Sequence, residues 1–151
     1  MKITNTLISP RKFNIDELIS FLIKELGISD KVELMLIYND RLLDMLSKGE
    51  VEYSALLTNP LQNQYVLNVR SGVSLEYILC HEFVHLQQFD RGDLKANLDY
   101  TEIIWKGEKY DSSISYEDRE WEEEAFSKQG KLWRKFKKLK KQQKKNERAK
   151  S

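Results

Sequence analysis

The stretch "LEYILCHEFVHLQQF" at residues 75–89 limits the possible folds more than any other. Ile78, Leu79, Phe83, Val84, Leu86 and Phe89 flank its polar residues at helical spacing, so the helix they form must be buried inside a domain. The small residues of "SGVS" precede it, Ser74 and Glu76 offer capping chemistry at its start, and Gly92 ends it. A buried helix must account for every polar group it carries. Here those groups include His81 and His85, the two histidines of the 151-residue chain, and Glu82.

Residues at i and i+4 lie on one helix face about one turn apart. Two imidazoles so placed share one tetrahedral zinc ion at about 2.0–2.1 Å each, which gives the HExxH spacing its meaning. Glu82, one position beyond the first histidine, points beside such an ion. It is placed to hold a water and take its proton. The alternative is a structural helix whose histidines cap carboxylates or face solvent. Burial of the flanks and the use of both histidines here favour the metal.

A catalytic zinc needs a third protein ligand. With no other histidine and the single cysteine Cys80, it should be a carboxylate, and "EWEEEAF" at residues 120–126 is the densest supply. Glu122 and Ala125 share a helix face, and the small alanine lets that helix approach closely. Glu123 points about 100° away and Glu124 about 200°, so Glu122 is preferred, with Glu123 and Glu124 as alternatives. Cys80 itself reads as a small core hydrophobe.

Around these segments the chain alternates helix and strand signals. "FNIDELISFLIKELGIS" predicts a first helix capped by Asn14 and ended by Gly27. "KVELMLIYN" (31–39) predicts a strand, and residues 40–50 a connection with one helical turn. Runs 50–57 and 64–70 predict a hairpin about "TNPLQN", and "WKGEKYD" a smaller one at Gly107. A further helix is expected from about Glu117. The order indicates an α+β domain.

"HEFVH" followed by "WEEEA" resembles the HExxH…ExxA pattern of gluzincin-type zinc metallopeptidases, and most of all small ones encoded by bacteriophages and bacteria. "WKGEKY" (105–110) and Tyr116 fall in the order that group shows, and the resemblance spans about residues 32–127. It implies a minimal zincin-like domain: a small mixed sheet packed on the HExxH helix, with a second helix bearing the third ligand. It implies His81, His85 and Glu122 as zinc ligands and Glu82 as general base of a peptidase. Strand 51–57, with Tyr53, Ser54 and Ala55, would be the sheet edge that takes up an extended peptide. Tyr110 or Tyr116 would donate to the oxyanion. The pattern departs from the thermolysin type at Phe126, where an aspartate would orient a histidine. Support for the ligands must therefore come from elsewhere, with Glu124, Asp118 or a backbone carbonyl as the options.

The net charge of +1 hides an asymmetry. Residues 128–151 carry twelve Lys and Arg against the single acid Glu147, a net of +11. Of the chain's 25 basic and 24 acidic residues, 13 and 23 remain in residues 1–127, a net of −10. The expected organisation is a metallopeptidase domain over 1–127 and a basic helical or disordered tail over 128–151. The tail invites nucleic-acid phosphates, an acidic protein or an anionic membrane surface. A non-catalytic adaptor acting through it is the rival to a peptidase. No run approaches a membrane span or signal sequence, and the lone cysteine suits a reducing compartment, so a cytoplasmic protein is expected.

Overall fold

The computed structural model describes residues 1–47, 52–97, 101–111 and 113–150. Strand β1 (Lys2–Asn5) leads into helix α1 (Ile15–Leu26) and returns as β2 (Glu33–Tyr38), parallel to β1. The Asn14 side chain accepts from the Glu17 N–H at 3.0 Å, capping α1 where expected. Gly27 ends it at φ 63°, a left-handed conformation that favours glycine. Ile15, Leu18, Ile19, Leu22 and Leu26 form its buried face.

Helix α2 (Asp40–Leu46) occupies the expected connection, with Asn39 capping it, and leads to β3 (Ala55–Leu61) and β4 (Gln64–Val69). The sheet order is β1-β2-β4-β3, parallel except for β3, which runs antiparallel to β4 and forms an edge. The hairpin is present, but its first strand lies later than the expected 50–57. Ladder pairing begins at Ala55↔Val69, and the turn falls at Gln62–Asn63. Pro60 sits inside the strand because an edge strand tolerates a missing N–H, and the register shifts between Thr58 and Leu61. Tyr53 and Ser54 precede the strand, their carbonyls bound to the Arg70 Nε–H and N–H at 3.0 and 2.9 Å. Residues 50 and 51 of the expected run lie outside the described residues.

Helix α3 (Leu75–Asp90) follows β4 and packs against α1, β3 and, most extensively, α4. Leu79, Phe83, Val84 and Leu86 are buried on it, as their pattern requires. A second, antiparallel sheet of β5 (Leu94–Ala96), β6 (Glu102–Trp105) and β7 (Glu108–Asp111) comes next. Lys106 and Gly107 both adopt positive φ at its hairpin, the requirement of a tight I′ turn. A 3₁₀ turn at Tyr116–Asp118 delays the last helix, α4, to Glu120–Lys150.

The expected division at residue 127 falls inside one continuous helix, α4. Leu132, Trp133 and Phe136 belong to the same core as α1 and α3. Trp133 meets Phe13 edge-on at 5.1 Å, and Phe136 meets Phe21 at 5.6 Å. The apolar stripe of the basic segment is thus part of the domain as far as Phe136. Leu139, three residues further along the helix, is 43% exposed.

Candidate metal centre

Helices α3 and α4 lie face to face, with Ala125 fully buried between them and Trp121 buried one turn earlier. This packing turns Glu122 towards α3. Glu122 Oε1 lies 3.1 Å from His81 Nε2 and 2.5 Å from His85 Nε2, and the two nitrogens are 3.2 Å apart. Ligand atoms about 2.0–2.1 Å from a tetrahedral zinc are separated by about 3.3 Å, so the nitrogen pair matches such an ion's edge. Among the described residues, His81, His85 and Glu122 form the group able to hold a metal.

The rings are held from behind. His81 Nδ1 lies 2.8 Å from Gln129 Oε1, and His85 Nδ1 lies 2.8 Å from Gln88 Oε1. An amide oxygen only accepts, so each Nδ1 carries the proton and each Nε2 is left to face Glu122. The orientation of Gln88 is fixed independently. Its amide nitrogen donates to the Trp121 carbonyl and to Glu124 Oε1, both at 3.0 Å, and the residue is fully buried. Two ring nitrogens and a carboxylate oxygen therefore converge on one point. Three acceptors in such contact require a cation or a proton between them, so the donor set fits zinc.

Protonation of the metal-free centre follows the same geometry. Burial opposes charge on His85, but the hydrogen bond to Glu122 and the negative charges of Glu82 and Glu122 outweigh it, raising its pKa to about 9. Burial also works against an ionised Glu122, yet its bonds to both histidines hold its carboxyl far below the ordinary range. At neutral pH a proton on His85 thus occupies part of the place a metal would take.

Glu82 is half-buried beside the trio and makes no hydrogen bond or ion pair among the described residues. Burial pushes its pKa upward, which the nearby histidines partly offset. A carboxylate so raised is suited to accepting a proton. Tyr116 borders the site beside Glu122: its ring packs on Phe126 at 6.0 Å, and Arg119 lies over it at 5.4 Å. Burial and the Glu122 charge keep its hydroxyl protonated.

Other expected residues are placed elsewhere. Tyr110 packs on Trp121 at 5.5 Å and its hydroxyl donates to Glu108. Glu123 is exposed. Glu124 binds Gln88 and Arg91, so it supports His85 through the glutamine and is not turned to the histidines. Phe126 packs edge-on against His81 at 4.7 Å, and Gln129 supplies the orienting bond that an aspartate there would have made. Sequence reasoning missed Gln88 and Gln129. Their signal was periodicity: Gln88 is three residues after His85, and Gln129 is seven after Glu122, both close to whole helical turns. Cys80 is buried, with its thiol pushed up to about 12 by desolvation, and takes no part in the cluster.

No family model, curated protein or solved structure matches this chain.

Proposed function

We propose that this chain is a zinc-dependent metallopeptidase of the gluzincin type, like the small enzymes of bacteriophages and bacteria that its motifs resemble. One observation carries the reading. Buried and half-buried glutamines hold the Nδ1–H of both motif histidines, directing both Nε2 atoms at the oxygen of Glu122. A helix with merely structural histidines has no need of that arrangement. Among the described residues no helix is long and apolar enough to cross a membrane, and a chain with the single cysteine Cys80 suits a reducing, cytoplasmic compartment.

His81, His85 and Glu122 would hold the zinc, which when bound polarises a scissile carbonyl and brings water's pKa to about 7. Glu82 accepts the proton of the attacking water and passes it to the departing amine. The Tyr116 hydroxyl, protonated at neutral pH, donates to the developing oxyanion. Strand β3, Ala55–Leu61, offers its outer edge to an extended protein or peptide substrate. Tyr53 and Ser54 flank the start of that edge, and Ala55 opens it.

The test is metal content followed by hydrolysis of an unfolded protein substrate. The expected result is one zinc per chain, lost in His81→Ala, with cleavage abolished in Glu82→Gln although its zinc remains. A protein that binds no zinc at equimolar supply, or that cleaves equally well as Glu82→Gln, rules the proposal out.

A further inference from the structure

Helix α4 continues four turns past its last buried residue, Phe136, and every side chain from Lys141 to Lys150 is exposed. Core packing therefore does not account for the residues of this arm. At about 100° per residue, Lys131, Arg134, Lys137, Lys138, Lys141, Lys144, Lys145 and Arg148 all fall within an arc of roughly 140°. The arc is centred some 145° from the buried face of Leu132, Trp133 and Phe136. The one acid of the segment, Glu147, falls outside it. Lys128, Lys135 and Lys140, which pair with Glu124, Glu25 and Glu17, lie outside the arc too. None of the stripe's lysines, nor Arg134, forms an ion pair among the described residues.

A helix that needed only solubility would mix signs along its surface. This one sets like charges four apart (Arg134 and Lys138, Lys137 and Lys141, Lys141 and Lys145, Lys144 and Arg148), an arrangement that weakens a helix. A polyanion along the stripe relieves that repulsion. Eight cations over about 25 Å of helix give one per roughly 3.2 Å, against one phosphate per about 3.4 Å along a strand of duplex.

We propose that this stripe binds the phosphate backbone of nucleic acid without reading its sequence. A membrane surface fits less well. Interfacial helices insert a run of apolar residues opposite their lysines, whereas past Phe136 that side carries the single leucine Leu139, followed by the polar Gln143, Asn146 and Glu147. The stripe has no aromatic or aliphatic anchor of the kind that dominates protein interfaces, which disfavours an acidic protein. Sequence reading is absent because lysine rows contact phosphates and carry no base pattern.

The experiment uses the full chain and a fluorescent mixed-sequence DNA duplex, with anisotropy followed against salt. The expected slope of log affinity on log salt is about −5, set by the phosphates neutralised. The triple variant Lys137→Glu, Lys141→Glu, Lys144→Glu should bind at least tenfold more weakly, whereas Lys2→Glu, Lys31→Glu, Lys95→Glu on the body should change affinity by less than threefold. Circular dichroism establishes that both variants keep their helix content. Equal losses in the two variants, no binding at low salt, or binding to anionic vesicles in place of DNA each overturn the proposal. Because the stripe is separate from the metal ligands, Glu82→Gln should bind DNA as the wild type does.

Discussion

Gln88 accepts from His85 Nδ1 at 2.8 Å while its amide nitrogen donates to the Trp121 carbonyl and the Glu124 carboxylate, both at 3.0 Å. One fully buried side chain thus ties the motif helix to the helix bearing Glu122, and sets the histidine tautomer as it does so. Gln88→Met keeps the volume but removes all three bonds. Zinc affinity should fall by about 10–100-fold, the usual cost of losing a ligand's hydrogen-bonded support. Chelator competition measures it, and an unchanged affinity would show that Gln88 does not set the ring.

Glu82→Gln should separate binding from chemistry. Zinc stoichiometry and thermal stability should stay near wild type, while hydrolysis falls by at least about 10²-fold, the typical contribution of a positioned general base. Metal analysis and a cleavage assay on the same preparation decide it.

The protonation of His85 predicts a pH dependence. Its folded pKa, about 9, lies above the unfolded value of 6.5, so its pairing with Glu122 stabilises the metal-free protein fully below about pH 6.5. That contribution is lost as pH rises from 6.5 through 9. Zinc requires the neutral ring, so at pH 7 its binding should release about one proton, and its affinity should rise towards pH 9. Calorimetric titration in buffers of different ionisation enthalpy counts the proton. Melting of the metal-free protein across the same range checks the loss of stability.

Trp133 tests where the domain ends. It is 7% exposed and packed between Phe13 and Phe136. Trp133→Ala should cost about 3–5 kcal/mol, and a chain cut after Ser127 should fail to fold cooperatively. Urea denaturation with a tryptophan or circular dichroism readout measures both. A stable truncated protein would favour the division at residue 127.

Much of this architecture was legible from local chemistry. Asn14 and Gly27 bound α1, the Lys106–Gly107 turn joins β6 and β7, and apolar spacing buries α3, each because a short-range rule decides it. Strand β3 was misplaced by several residues because its limits depend on pairing with β4. Only the sheet edge explains why Pro60 is tolerated within it. The continuation of the fold past residue 127 depends on Trp133 and Phe136 meeting Phe13 and Phe21, more than a hundred residues away, which no local rule decides.

For the site, the sequence by itself determined that two imidazoles lie one turn apart with Glu82 beside them, since the helix period fixes spacing along one element. It did not determine which of three consecutive glutamates faces them. A helix's period is written in its sequence, but its rotation about its own axis is set by what it packs against. Burial of Trp121, Ala125 and Leu132 fixes that rotation for α4, and with it brings Glu122 to the histidines, sends Glu124 to Gln88 and leaves Glu123 to solvent.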